Sequence, residues 1–301
     1  MKKLFGILLT GMLTVGCVGC NAENENTTSL TETENTTENT TENTTENTTE
    51  KVETTAKMND VDFSEYFADF QGCGVFYNYD ENTYDIYNSE KSNTRYSPCS
   101  TFKIISTLEG LENGVVTSED SKMNYSGYTY EMDIWNKDVT LKEAFQNSCV
   151  WYYRQIIDEV GEEKISADLQ KLGYGNCDVS QWEGSDINST PDTNGFWLES
   201  SLKISPVESV NVLADIFEGN TDYSQSNIEI LKNIMTTDYD NFYGKTGAGN
   251  SDNAWYVGFC ENKDDKIYFA VHLDGGKDEE PSGAYAREIA YNIISNCYSN
   301  Q

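Results

Sequence analysis

The sequence predicts an α+β fold: an antiparallel sheet assembled from both ends of the folded segment, flanked by helices, with a mostly helical middle. Three observations carry this. Strand-like alternation occurs near the start, at Gly72 to Tyr79 and Thr83 to Tyr87. It returns near the end, at Phe242 to Thr246, Ala254 to Cys260 and Ile267 to Leu273. Between them the apolar residues recur at helical spacing and the segments carry helix caps.

Taken in order, Met1 to Cys20 reads as an export leader. Lys2 and Lys3 precede an apolar run, Leu4 to Val15, too short to span a bilayer comfortably. Small residues lead up to Cys17 and Cys20, which resembles the lipobox of bacterial lipoproteins, with one of the two cysteines lipidated; an ordinary cleaved leader with incidental cysteines is the alternative. Both cysteines remain candidates. The expected location is the outer face of the cell membrane, with the protein anchored there by lipid. Residues 21–57 repeat Thr-Glu-Asn-Thr, with almost no apolar side chains and many like charges. Such a segment cannot bury enough surface to offset its chain entropy, so it reads as a disordered acidic tether. Its Asn-Thr-Thr triplets are produced by the repeat itself and carry no glycosylation argument.

Residues 58–301 then form one folded unit, near the upper size for a single core. The formal net charge of the chain is −31, and most of it falls in this unit. Such a surface repels nucleic acid and anionic membranes, so neither is expected as a partner, and any anionic ligand needs a local cationic pocket. The hairpin of Gly72 to Tyr79 and Thr83 to Tyr87 turns at Asp80-Glu81-Asn82. A helix is expected from Pro98, with Ser97 as its N-cap, through Ile104, Ile105, Leu108 and Leu111 to a stop at Asn113-Gly114. Leu141 to Val160 reads as helix, as does Pro206 to Phe217, where Ser205 and Glu208 make a capping box. Ala284 to Cys297 closes the chain as an amphipathic helix.

The chemistry gathers in three short motifs. Ser100 and Lys103 lie three apart, on one face of the first helix and close to its positive end. A neutral or modified amine there can take the serine proton. Ser148-Cys149-Val150 follows, and Lys245-Thr246-Gly247 ends a strand, where Gly247 permits close approach to the backbone. The chain's single histidine, His272, lies within a strand pattern, so it reads as a strand residue and not as the base of a serine triad. One histidine also rules out histidine-rich metal sites, and no metal is expected.

Ser-x-x-Lys, Ser-x-Val and Lys-Thr-Gly in this order resemble the penicillin-recognising serine enzymes, and among them the class D (oxacillinase-type) β-lactamases. Tyr174-Gly175-Asn176, Trp151-Tyr152-Tyr153, Phe196-Trp197-Leu198-Glu199 and Leu202-Lys203-Ile204-Ser205-Pro206 extend the resemblance from about Phe70 to Ile294. It implies the fold shared by serine β-lactamases and penicillin-binding transpeptidases, with β-lactam small molecules as substrates. It implies Ser100 as nucleophile and Lys103 as an N-carboxylated lysine, the general base for acylation and deacylation, held by Trp197 and Ser100. No cofactor is implied beyond the CO2 or bicarbonate that carboxylates Lys103. The backbone N–H groups of Ser100 and Ala248 would form the oxyanion hole, and Ser148 would pass a proton to the leaving nitrogen. Val150, Trp197, Lys245, Thr246, Gly247 and Arg287 would surround the substrate, the last of them sharing its carboxylate with Lys245 and Thr246. Arg287 equally reads as a surface charge.

Cys99 precedes the nucleophile and Cys149 sits between Ser148 and Val150; they read either as a disulfide or as two free thiols. Cys73, Cys177, Cys260 and Cys297 have no pairing that the sequence fixes. Two functions from one superfamily stand side by side: hydrolysis of the antibiotic, or a penicillin sensor that stays acylated. The sensors carry membrane spans and a protease domain that this sequence does not display, which favours hydrolysis. A surface adhesin with a decayed site is the third reading, and three intact motifs argue against it.

Overall fold

Strands Ala254–Glu261 (β5) and Lys266–Gly276 (β6) are apolar almost throughout and buried on both faces, as central strands require. In the computed structural model, which describes residues 55–186, 188–249, 252–262 and 265–298, they sit inside a six-stranded sheet. The order is β1-β3-β2-β6-β5-β4, with β1 at Lys57–Asp60, β2 at Phe70–Asn78, β3 at Thr83–Tyr87 and β4 at Phe242–Ala248. Only the β1–β3 pair is parallel. The sheet is thus built from both ends of the folded segment, with β2 joined to β6 through pairs such as Phe76 with Phe269.

One face of the sheet carries the closing helix α9 (Gly283–Cys297), started by Ser282, whose hydroxyl accepts from Tyr285 N–H, and the short helix α1 (Ser64–Phe67). Phe76, Phe269, Val271, Ile289 and Ile293 fill that layer. The other face carries a larger core. It lies under α3 (Lys103–Glu112), α5 (Val150–Val160), α6 (Glu162–Leu172), α7 (Pro206–Phe217) and α8 (Gln225–Ile234). Helix α2 (Ser89–Ser92) covers the end of the first hairpin, and α4 (Leu141–Gln146) leads into α5. The capping box of Ser205 and Glu208 forms at α7, with Arg95 on the same carboxylate. A second one, Thr140 with Glu143, starts α4.

Three expectations change. Ser97 does not cap a helix: its hydroxyl donates to Trp197 O at 3.0 Å and accepts from Glu199 N–H at 2.8 Å. The segment begins instead as a 3-10 turn, Cys99–Phe102, and becomes α-helical only at Lys103. Leu141 to Val160 is two helices, broken where Ser148 takes the left-handed φ of 51°. Lys57, assigned to the tether, is the first residue of β1 and pairs with Thr83. The leader, its cysteines Cys17 and Cys20, and most of the tether lie outside the described residues. Among the described residues no helix is long and apolar enough to cross a membrane.

Candidate active site

The nucleophile candidate is set by a strained turn. Cys99 has φ 48°, a conformation a side chain avoids, and its N–H donates to Trp197 O at 3.0 Å. Ser100 follows in the 3-10 turn, and Lys103 opens α3 one turn later. Lys103 Nζ donates to Ser100 Oγ at 3.0 Å. The amine is fully buried, and that burial pushes its pKa down to about 8, against a weaker upward pull from the nearby Cys149 and Cys99. Tyr153 lies 5.2 Å from Nζ, and Phe102 stacks on Trp197 at 5.8 Å. Trp197 Nε1–H is itself buried and has no hydrogen-bond partner.

Ser148 enters from the break between α4 and α5. Its hydroxyl accepts from Lys245 Nζ at 2.7 Å, and Lys245 also donates to Thr246 O at 2.9 Å. Burial, and then the charge of Lys103, hold the Lys245 pKa well below the ordinary lysine range. Strand β4 is the last in the sheet, so one of its edges has no partner strand. Gly249 N–H donates to Asn253 O at 2.8 Å, which fixes the phase of the β4–β5 ladder. By the alternation of an antiparallel pair, the N–H groups of Thr246 and Ala248 then point to the open edge. Gly247 is needed for the approach of that strand to the nucleophile turn. A Cβ there would lie 2.9 Å from Thr101 Cγ2 and 3.1 Å from Pro98 O.

These residues open onto a cleft of about 660 Å³ lined by Ser100, Ser148, Val150, Thr246, Gly247 and Ala248, with Tyr128, Met132, Trp135 and Leu198 on its apolar side. Trp197 and Lys245 stand behind it and do not line it; Trp197, grouped above with the residues around the substrate, is instead a wall of the Lys103 pocket. Arg287 lines an adjoining cavity of about 280 Å³, which it shares with Lys245, Thr246 and Tyr256. His272 lies in β6, buried, with Nε2 3.0 Å from Asn253 Oδ1 and its pKa pushed down to about 3 by burial. Its bond to Asn253 and its stacking on Tyr96 place it in a structural role.

Tyr174-Gly175-Asn176 is the turn the sequence suggests. Gly175 has φ 56°, and a Cβ there would meet Lys203 O at 1.9 Å. Asn176 accepts from Lys203 N–H and donates to Ser201 O, both at 2.8 Å, which ties the box to the segment after Trp197. The six described cysteines are free thiols. Cys99 and Cys149 are both buried, and burial pushes each pKa up to about 12, so neither is a thiolate at neutral pH. Much of the cleft's lining was not picked out from sequence as part of the site, Cys99 as a lining group and Glu199, with φ 47°, among it. No local pattern announces a left-handed glutamate.

A serine hydroxyl against a buried amine, a second serine held by a second lysine, and an unpaired strand edge beside both make a site for acyl transfer to serine. That is the arrangement of the penicillin-recognising serine proteins. The family pattern of the penicillin binding protein transpeptidase domain matches residues 45–295. The chain is 35% identical over 242 residues to the regulatory protein BlaR1 of Bacillus licheniformis, covering 77% of this chain and 38% of that one. It is 32% identical over 244 residues to the probable β-lactamase YbxI of Bacillus subtilis strain 168, covering 79% and 84%. A crystal structure of a class D β-lactamase from Bacillus subtilis matches with TM-score 0.69 at 30% identity, over 78% of this chain and 94% of that one. The chain belongs to the penicillin-binding transpeptidase-domain family, among the class D β-lactamases and their homologues. It spans about two-fifths of the length of the regulatory relatives it matches.

Proposed function

We propose that the protein hydrolyses β-lactam antibiotics through an acyl-enzyme on Ser100, with Lys103 N-carboxylated, and so confers resistance. The observation that carries this is the 3.0 Å contact between the fully buried amine of Lys103 and Ser100 at the cleft. The unpaired indole N–H of Trp197 supports the modification, since a buried donor without an acceptor is costly and a carbamate oxygen would satisfy it. Ser100 and Trp197 would hold the carbamate. It would supply a base, anionic at neutral pH, for the Ser100 proton and for the water that deacylates.

Ser100 Oγ attacks the lactam carbonyl, forming a C–O bond, and the ring C–N bond breaks. The N–H groups of Ser100 and Ala248 receive the carbonyl oxygen as its charge develops. Lys245 holds Ser148 Oγ by donating to it, which leaves the Ser148 proton free for the leaving nitrogen; the proton that the carbamate took from Ser100 then replaces it on Ser148, which frees the carbamate for the deacylating water. Thr246, Lys245 and Arg287 attract the substrate carboxylate, a local positive site in an acidic protein. Water then cleaves the ester and restores Ser100. In the cell the protein is held to the outer face of the membrane through a lipid on Cys17 or Cys20.

The identity to BlaR1 favours a second reading, in which Ser100 acylates and the ester persists as a signal. Turnover of a chromogenic cephalosporin by the purified protein separates the two. Continuous product release is expected; one equivalent followed by a halt would establish the receptor reading instead. Ser100→Ala should abolish covalent labelling by penicillin, and retained labelling would remove the mechanism altogether.

A further inference from the structure

Five described residues other than glycine, asparagine and aspartate take a positive φ, and three of them, Cys99, Ser148 and Glu199, line the cleft. Backbone strain of this kind persists where the surroundings over-determine it, and it concentrates at functional sites. The first two are accounted for: Cys99 aims the nucleophile and Ser148 breaks the helix pair. Glu199 has no part in the reaction derived above.

Its carboxylate is nevertheless held with care. The Glu199 N–H donates to Ser97 Oγ at 2.8 Å. Oε1 accepts from Asn253 Nδ2 at 2.5 Å and from the Cys99 thiol at 3.4 Å. Asn253 is fixed in turn by His272, 3.0 Å from its Oδ1. The carboxylate lies so close to the end of the catalytic strand that a Cβ on Gly249 would fall 1.6 Å from Oε1. No described lysine or arginine forms an ion pair with it. The charged side chains lining the cleft are Glu131 and Glu199, both acidic. An anion kept beside the nucleophile turn with no cation against it is poised to receive one from a ligand.

We infer that Glu199 determines side-chain specificity by receiving a cationic group on the acyl arm of a β-lactam, so that zwitterionic substrates are preferred. This rests on the β-lactam reading above. The placement suits such a substrate. Its carboxylate lies by Lys245 and Thr246, and Gly249 is three residues further along, about 10 Å at the rise of a strand. That is comparable to the length of a penicillin from its carboxylate to the α-carbon of its acylamino group. A protonated amine on that carbon therefore reaches the Glu199 end of the strand, and a carboxylate there meets like charge.

The test uses the full chain with benzylpenicillin and its α-amino and α-carboxy derivatives. Second-order acylation constants are measured by competition with a fluorescent penicillin, which reads Ser100 whether or not the ester later hydrolyses. The α-amino compound should acylate faster than the α-carboxy compound. In Glu199→Gln, which keeps an oxygen for Asn253 and loses the charge, the amino-to-carboxy ratio should fall about tenfold. A measurement without mutation keeps the test open if that variant fails to fold. Raising ionic strength from about 0.05 to about 0.5 M should compress the wild-type ratio, because the charges are partly exposed. A ratio that is the same in both proteins, or insensitive to salt in the wild type, overturns the inference and leaves the β-lactam reading standing. Failure of all three compounds to acylate the wild type overturns both.

Discussion

Replacing Trp197 by phenylalanine isolates the least ordinary part of the mechanism. The ring stack on Phe102 survives, and the buried N–H is deleted. Lys103 must first be neutral to react with CO2. With its pKa pushed down to about 8, about a quarter of the amines are neutral at pH 7.5, against about 0.1% for an ordinary lysine. Burial therefore opens the route, and the indole is expected to hold the product. A hydrogen bond to a charged acceptor contributes about 1.5–3 kcal/mol. At about 1.4 kcal/mol per tenfold, Trp197→Phe should lower carbamate occupancy about ten- to a hundredfold, with partial rescue by high bicarbonate. In CO2-free buffer the sign reverses: the wild type carries an unpaired buried donor, and the variant should be as stable or more so. Carbon-13 NMR after exposure to labelled bicarbonate reads the occupancy, and cephalosporin turnover reads its consequence. A carbamate signal equally strong in the variant, or turnover that ignores bicarbonate and shows no carbamate at all, would refute the reasoning.

Lys103→Met in CO2-free buffer should stabilise the fold by about 3 kcal/mol at pH 7, because the folded protein holds that amine's pKa near 8 against an ordinary 10.5. The folded state loses the proton first, so the penalty is complete below pH 8 and fades as pH rises to 10.5; denaturant midpoints across that range should converge, and a constant gap would contradict this. Gly175→Ala, with its Cβ driven to 1.9 Å from Lys203 O, should cost about 2–4 kcal/mol in urea unfolding, and a loss below about 0.5 kcal/mol would show that the turn yields. Replacing Cys17 and Cys20 together by serine should move the protein from the membrane fraction to the medium; an unchanged distribution would rule out the lipid anchor.

What the sequence made legible followed the range of the interactions concerned. Strands β5 and β6 and the cap of α7 were readable because burial and capping are written within a few residues. Strand β1 was not, since its four residues, Lys57–Asp60, are almost wholly exposed and carry no alternation. The break before α5 stayed hidden because Leu141 to Val160 is helical by composition and the turn exists to present Ser148 to Lys245, 97 residues away. Ser97 looks like a cap until Trp197 and Glu199, 100 and 102 residues on, take both sides of its hydroxyl. The motifs themselves met as expected at Ser100, Lys103, Ser148 and Lys245, whereas Trp197 moved behind the cleft and Glu199 came forward into it.

The order of the sheet also sets its first strand apart from the place where the chemistry gathers. Lys57 lies in the strand at one margin, and Thr246 and Ala248 lie in the strand at the other, five interstrand spacings or about 24 Å away. Strand β1 therefore lies at the margin remote from the open edge of β4. A pull on the N-terminal end of β1 loads β1 against β3 first, and the short parallel pair would peel before any force reached the reactive serine. The strand order alone thus keeps the first strand of the sheet clear of the edge that small molecules reach.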